Sequence, residues 1–400
     1  MLAAENVFWF FLKGWLFFYG IMGTVNFLEG VFMSDVFAKR VTMWELFYDL
    51  IFVFAISKIT HMIHHLHQGM VNWVDYLLFL SVCIMLMQAW MYQTTYVNKF
   101  GRERLTDKIG LWINMIGAIY VAVSINTDWS STFLPFNIGM LLMQLAILFQ
   151  FWFARGDYPK TSQERKEISS FMLMISFTSF LVFIGLLLGY KLGIWLMTFA
   201  YFFQAYAPWF VKERFLGATL NFPHLLERCG LITIILFGES IVGLTSIVTA
   251  SSNPLLPLLI FFGLIFMFAT YQIQTEEVID HGVASNGMFL MHLHLLLPIG
   301  LLTVTAGFGY LLEQVNTSFL ALFLLLGLAI FYLSLFATSR YNKPSLALTS
   351  KDTLYYFLVL LIGGGVLLVL KDYPLGLSAG FMLINLAMML RNSLKLKKIK

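Results

Sequence analysis

The sequence predicts an all-α integral membrane protein with about twelve spanning helices, and three observations lead to that prediction. Of the 400 residues, 60% are hydrophobic and only 12% are charged, whereas soluble domains carry about 25% charged residues. The mean hydropathy of the chain is +0.81. Apolar segments of roughly 20 residues, which is the length that crosses a bilayer, recur from one end of the sequence to the other.

The connections between these apolar segments are too short to fold alone, so the chain predicts a single membrane domain over residues 41–391. Residues 1–40 form an apolar N-terminal extension, and residues 392–400 form a basic tail. The predicted spans are 43–63, 75–97, 109–127, 133–154, 168–190, 192–211, 227–249, 254–273, 287–311, 318–338, 353–370 and 374–391.

Lysine and arginine are concentrated in alternate connections, which gives an independent indication of topology. The connections around 98–108 and 155–167 are strongly basic, as is the C-terminal tail, and the intervening connections carry few or no basic residues. Because basic loops stay in the cytoplasm, the pattern predicts a multi-pass membrane protein with a cytoplasmic C-terminus. The connection 274–286 is an exception, since it is acidic.

The first 33 residues allow three interpretations. The stretch 15–32 is apolar enough to insert, but it contains Glu29, and no small-residue cleavage site follows it. It is an additional helix, a segment lying in the membrane interface, or a region upstream of a true start at Met33.

Two halves, about 41–220 and 221–391, resemble each other. Glu45 and Glu227 each begin an apolar run, and the string YQTT at 92–95 is followed by YQIQT at 271–275. Six helices per half predict a parallel repeat, and transporters built from repeats hold their sites between the halves. The alternative is a chance match between short strings of biased composition.

Ionisable side chains inside the predicted spans are candidate functional groups, because their burial in a bilayer is costly. Glu45 and Asp49 are four residues apart and share one helical face, which suits proton or cation binding. The alternative for Glu45 is a place in the headgroup layer. Glu227 and Arg228 begin the seventh span as a candidate binding pair or as structural anchors.

Glu239 is the leading candidate by sequence. It follows Glu227 by twelve residues, which is about 18 Å along a helix, and it would therefore lie near the middle of the membrane. Gly238 beside it permits close helix approach, and Ser240 offers a hydroxyl group. His294, in the ninth span, is a further titratable group.

Histidines at the outer end of the first span suggest a metal site. His61, His64 and His65 share one helical face, a ligand geometry for a transition metal, and the alternative, an exposed polar helix end, is the simpler interpretation. A second polar group precedes the ninth span and predicts either a cation-attracting vestibule or an ordinary loop. It consists of Glu276, Glu277, Asp280 and His281.

Several classes of protein are excluded or disfavoured by the sequence. It contains no P-loop, dinucleotide fingerprint, Gly-x-Ser-x-Gly or Cys-x-x-Cys motif, so no cofactor is predicted and an enzyme is the less favoured class. Cys83 and Cys229 both lie in apolar segments and form no disulfide framework. The basic residues lie in loops and in the tail, which gives no indication of nucleic-acid binding.

Three strings resemble one family, the bacterial low temperature requirement A proteins. They are WELFYDLIFV at 44–53, WMYQTTY at 90–96, and HLLERCGL at 224–231 with GES at 238–240. The resemblance extends from about Lys39 to the end, with Cys229 where an aromatic residue is expected. It implies a multi-pass protein of the bacterial inner membrane without a settled biochemical activity.

These observations predict a secondary transporter or channel for an ion or small solute, linked to protons through Asp49 and Glu239. A membrane-embedded lipid-handling enzyme and a membrane sensor or scaffold remain as alternatives. The expected partners are the lipid bilayer and an ion or small-molecule substrate, and the sequence leaves a homodimer open.

Overall fold

A computed structural model of the chain describes residues 39–63, 66–126, 128–210, 212–215 and 220–397. The alternatives for the N-terminal extension therefore concern residues outside the described ranges. The same is true of the predicted metal site, because His64, His65 and the side chain of His61 are not among the described positions.

The described ranges confirm an all-α architecture with twelve α-helices. These are α1 (Met43–Ile59), α2 (Trp73–Lys99), α3 (Leu105–Ser124), α4 (Trp129–Arg155), α5 (Gln163–Leu188), α6 (Tyr190–Phe210), α7 (Phe222–Ala250), α8 (Leu255–Gln272), α9 (Met288–Gly309), α10 (Thr317–Ala337), α11 (Ser350–Val369) and α12 (Pro374–Lys397). A two-residue hairpin of β1 (Leu66–His67) and β2 (Met70–Val71) joins the first two helices, with Leu66 opposite Val71.

Nine of these helices in the described part of the chain are long and apolar enough to cross a membrane, namely all except α1, α3 and α6. Helix α1 has only 17 residues and carries both Glu45 and Asp49, so its composition alone does not identify a span. The prediction of a polytopic helical protein is therefore confirmed, and the count of twelve crossings stays a prediction.

Helix α8 ends in a π-helical turn, Ile273–Val278, rather than in a regular cap. The chain that follows is fixed to the start of the α10–α11 connection, where Ile279 pairs with Asn342. Gln274 also donates a hydrogen bond from Nε2 to Oδ1 of Asn342 at 2.8 Å. These contacts hold the acidic connection after α8 in a defined structure. It contains a π turn, and π turns occur frequently at functional sites.

Glycine pairs bring three sets of neighbouring helices close together. Gly117 of α3 faces Gly139 of α4, Gly185 of α5 faces Gly193 of α6, and Gly300 of α9 faces Gly327 of α10. A Cβ atom added to Gly300 would lie 2.6 Å from the backbone nitrogen of Phe331 and 2.8 Å from the carbonyl oxygen of Gly327. Small residues permit such approach between membrane helices, where packing replaces the hydrophobic effect as the driving force.

Replacing Gly300 with alanine is expected to lower the free energy of unfolding by about 1–3 kcal/mol, because backbone atoms of α10 would have to move. The matched control is Gly365→Ala, since a Cβ atom at Gly365 meets nothing within 4 Å, and alanine favours a helix over glycine. Thermal unfolding in detergent measures both. Equal melting temperatures for the two variants would contradict the close packing of α9 and α10.

Candidate functional site

The first turns of α1 and α7 lie side by side and pair their polar side chains. Oε2 of Glu45 lies 2.9 Å from Nε2 of His224, and one helical turn further along, Asp49 forms an ion pair with Arg228. Both pairs are buried. The structure therefore brings together three of the predicted site residues and adds His224 to them.

The cap residues of the two helices place these side chains in register. Oγ1 of Thr42 accepts a hydrogen bond from the backbone nitrogen of Glu45 at 3.3 Å. The Oδ1 atom of Asn221 accepts one from the backbone nitrogen of His224 at 3.1 Å. Such caps satisfy amide groups that a helix start leaves free, and a proline at the first turn of α7, Pro223, also favours the start there.

Asp49 and Arg228 are completely shielded from solvent, and aromatic side chains complete their environment. Arg228 donates from Nε to Oδ2 of Asp49 at 3.3 Å and from Nη2 to Oδ1, while Trp90 donates from Nε1 to the same Oδ1 atom at 2.7 Å. The guanidinium also lies over the rings of Tyr48 and Trp90, 5.8 and 5.5 Å from their centroids. Cation–π contacts of this kind strengthen when the cation is desolvated.

The hydrogen bonds of Asn98 decide the protonation of His224. Oδ1 of Asn98 accepts from the backbone nitrogen of Asn221 at 2.9 Å, and Nδ2 donates to the carbonyl oxygen of Asn221, also at 2.9 Å. The amide orientation is thus fixed, and Nδ2 donates its second hydrogen to Nδ1 of His224 at 3.0 Å. Because Nδ1 accepts, the ring is neutral and its proton lies on Nε2, which donates to Glu45.

Glu45, Asp49, His224 and Arg228, with Trp90 and Asn98, form one buried network. Among the described residues, this network contains two carboxylates but only one cation, Arg228. Next to Glu45 is a cavity of about 40 Å³ lined by Lys39, Glu103 and Lys108. Lys39 donates from Nζ to the carbonyl oxygen of Val97 at 2.7 Å, and burial lowers the pKa of its ammonium group although nearby Glu45 opposes this. Of the two carboxylates in the network, Glu45 is therefore the nearer to the end of the bundle at which α1 and α7 begin.

Three buried hydrogen-bond donors, on α7 and α2, have no partner among the described residues. They are Nη1 of Arg228, Nε2 of Gln93 and Oγ1 of Thr94. Gln93 is held by Asn114, which donates from Nδ2 to its Oε1 atom at 3.1 Å, and Oδ1 of Asn114 accepts from the Tyr48 hydroxyl at 3.4 Å. Since buried polar groups normally find partners, each of these donors is available to a hydrogen-bond acceptor.

The other predicted site residues lie outside this network. Glu227 is exposed, and it is Asp49, not Glu227, that pairs with Arg228. Ser240 is buried, with its hydroxyl 2.7 Å from that of Thr305. Glu239 is half-buried and makes no hydrogen bond or ion pair with any residue that the structure describes. Its role as a proton-binding group stays a prediction.

His294 is buried in α9 and paired with the end of α8. Its Nδ1 atom lies 2.9 Å from the carbonyl oxygen of Leu290, and Nε2 lies 3.1 Å from the hydroxyl of Tyr271. A carbonyl only accepts, so Nδ1 carries the proton and Nε2 accepts from Tyr271. Among the described residues, no group of three or more His, Cys, Asp or Glu side chains forms a candidate metal site.

Sequence analysis did not assign roles to His224, Asn98 or Trp90. One signal was available for His224, because it precedes Arg228 by four residues, as Glu45 precedes Asp49. The two contacts between these helices both join residues 179 positions apart. The pattern carboxylate-x₃-carboxylate therefore faces the pattern base-x₃-base.

A comparison with protein-family models decides the relationship that the α1, α2 and α7 strings suggested. The model described as "Bacterial low temperature requirement A protein (LtrA)" matches residues 40–389. The chain belongs to the LtrA family. No curated protein and no solved structure matches the chain. The match covers the entire buried network, so the network is part of the region that defines this chain as an LtrA protein.

Proposed function

We propose that this LtrA protein is a secondary transporter or channel that moves protons, alone or together with a small solute, through the network between α1 and α7. The observation that carries the proposal is the environment of the Glu45 carboxylate. This carboxylate is buried against a neutral imidazole at the bundle end, where a proton can be exchanged. Ionisable residues within a membrane protein commonly mark proton relays and ion pathways.

The helix starts support a parallel repeat of two six-helix halves. The cap residues Thr42 of α1 and Asn221 of α7 are 179 positions apart. Asp128 of α4 and Asn316 of α10 are 188 positions apart and are also helix caps. The offset is 182 between the starts of α2 and α8 and 183 between those of α3 and α9, so most of the increase arises between the third and fourth helices of each half.

The glycine contacts support the same repeat. The facing pair Gly117 and Gly139 joins α3 to α4, and the pair Gly300 and Gly327 joins α9 to α10. Each of these two pairs joins the third and fourth helices of its half, whereas the pair Gly185 and Gly193 joins the fifth and sixth helices of the first half. In this arrangement α1 and α7 are equivalent helices that meet at the junction of the halves, which is where repeat transporters bind ions and substrates.

The charge pattern supports a cytoplasmic position for the network. Lys39, Lys99 and Lys108 lie at the same end of the bundle as the first turns of α1 and α7. Basic connections favour the cytoplasm, so we place this end, together with the C-terminus, on the cytoplasmic side of the bacterial inner membrane. Glu45 then exchanges protons with the cytoplasm, and Asp49 lies one turn deeper.

The neutral imidazole of His224 gives Glu45 a role that Asp49 does not have. Protonating Asp49 would leave the Arg228 cation buried without a counter-charge, which is costly. Protonating Glu45 leaves no buried cation unpaired, and its Oε2 atom continues to accept from Nε2 of His224. Glu45 therefore cycles between its two forms, while the Asp49–Arg228 pair keeps the halves in register.

Reconstituting the protein in liposomes with an internal pH-sensitive dye tests this function. Proton flux faster than in protein-free liposomes is expected when a pH gradient or a membrane potential is imposed. If folded protein gives no flux under either gradient, nor with small cations and anions added as co-solutes, the proton-transport proposal is wrong.

A second candidate function, a membrane sensor or scaffold, is favoured by the complete burial of Asp49 and Arg228. A fully desolvated pair between two halves can serve register alone. This proposal predicts that liposomes with and without the protein have the same proton permeability.

A further inference from the structure

A large cavity in the described part of the chain is separate from the buried network. It is a groove of about 440 Å³ between α7 and α8, closed at one end by the π turn and the connection that follows it. Sites for small organic ligands commonly have volumes of about 300–1,000 Å³. The groove is lined by Pro223, Leu226, Glu227, Gly230, Leu231, Ile234, Phe268, Tyr271, Gln272, Thr275, Glu276 and His281.

The two ends of the groove differ in chemistry. At the bundle end, the carboxylates of Glu227 and Glu276 are both exposed, and Gln272 donates from Nε2 to Glu276 at 3.1 Å. Further along α7, the lining is apolar and ends at Ile234, which is seven residues or about 10 Å from Glu227. The groove therefore runs from the level of a membrane surface toward its apolar interior.

The charges that face the acidic end leave it net negative. His281 is the one basic side chain in the lining, and because a carbonyl only accepts, its Nε2 atom donates to the carbonyl oxygen of Thr275 at 3.0 Å. Lys343 is turned to another partner, the carbonyl oxygen of Glu277, at 2.8 Å. Two carboxylates opposite a single imidazole attract a cation rather than an anion.

The apolar floor selects the kind of cation. Phe268 and Tyr271 offer aromatic surface, which binds quaternary and primary ammonium groups, and Leu231 and Ile234 offer apolar surface to an attached chain. A hydrated inorganic ion gains nothing from this floor. At Gly230, a Cβ atom would meet nothing within 4 Å, so the glycine leaves the middle of the groove open for an occupant.

We propose that this groove binds an amphiphilic organic monocation, with its ammonium group at Glu227 and Glu276 and its alkyl chain along Leu231, Ile234 and Phe268. The groove does not include Glu45 or Asp49, and its ligand does not depend on proton transport. Ile234, which lines the apolar end of the groove, is 48% exposed. A ligand can therefore enter laterally, from the lipid phase.

Saturable binding of radiolabelled decyltrimethylammonium to the full chain in neutral maltoside micelles tests the proposal. Unlabelled competitors with the same decyl chain separate charge from apolar partition. The cation is expected to compete at least roughly tenfold more strongly, about 1.4 kcal/mol, than a neutral decyl glycoside or decanoate. Equal competition by all three compounds would overturn the proposal without any variant.

Two variants then locate the site. Glu227→Gln combined with Glu276→Gln is expected to reduce the affinity for the cation to that for the neutral glycoside. Gly230→Leu fills the groove and is expected to abolish saturable binding, whereas the control Gly238→Leu, on the same helix where a Cβ atom is also unobstructed, retains it. Binding that survives Gly230→Leu would show that the cation binds elsewhere and would overturn the assignment.

Discussion

Replacing Asp49 alone with leucine is expected to lower the free energy of unfolding by about 3–5 kcal/mol, because Arg228 would keep a buried charge without a partner. Both side chains are 0% exposed, so water cannot replace the lost carboxylate. Replacing both residues, as Asp49→Leu with Arg228→Met, is expected to recover most of the loss, since apolar residues of similar volume substitute well for a buried pair.

Thermal and denaturant unfolding in detergent would measure this double-mutant cycle. The control is Asp157→Asn, which removes the charge of one of the two carboxylates paired with Arg104, in a partly exposed pair with an Nη1–Oδ2 distance of 2.8 Å. Exposed pairs contribute only about 0–1 kcal/mol, so this variant is expected to change stability little. If the Asp49 and Asp157 variants lose the same stability, the buried pair does not hold α1 against α7.

Replacing Glu45 with glutamine is expected to reduce proton flux by at least about a hundredfold, the lower end of what a positioned proton-transfer group contributes. Glutamine keeps an oxygen that accepts the hydrogen bond from Nε2 of His224, so the protein is expected to remain folded. Flux from reconstituted Glu45→Gln, normalised to the amount of inserted protein, gives the result.

The control for this variant is Glu103→Gln. Glu103 lines the same small cavity but is exposed, so its side chain is not enclosed by the network. It is expected to transport protons at the rate of the wild type. A Glu45→Gln protein with unimpaired flux would exclude Glu45 as the exchanging group, and equal losses in both variants would indicate an effect of surface charge alone.

The sequence was sufficient for the class of fold because the apolar segments are long and the connections are short. It was less reliable at the helix ends that form the site. The predicted seventh span began at Glu227, whereas α7 begins at Phe222. Hydropathy averaged over a window of residues does not include the polar string Asn221-Phe222-Pro223-His224 in the span. A cap residue followed by proline is nevertheless a sign of a helix start.

The consequence of that shift was the omission of His224 from the candidate site. Its partner Glu45 lies 179 residues earlier in the chain, and the contact depends on how α1 packs against α7. The same limit applies to Trp90 and Asn98, whose hydrogen bonds reach Asp49 and His224. Helical spacing places Glu45 and Asp49 on one face, but it does not reveal what lies opposite that face.

Glu239, in contrast, was ranked first from the sequence but lies outside the buried network. Depth along α7 made it the leading candidate, since it is well inside the helix, but depth carries no information about orientation. The structure places its side chain half-buried, beside the exposed Gly238 and Val242, and away from the Glu45 network. A group at that position is available to lipid or to another protein, and its part in transport is a separate question from that of Glu45.

The most direct test of the proposed proton pathway compares these two carboxylates in one reconstitution. Wild type, Glu45→Gln and Glu239→Gln would be inserted into liposomes at equal density, and proton flux would be followed with an internal dye after an imposed pH jump. The network predicts flux in the wild type and in Glu239→Gln, with loss in Glu45→Gln. Loss in Glu239→Gln with flux retained in Glu45→Gln would contradict it and would place the proton path at Glu239.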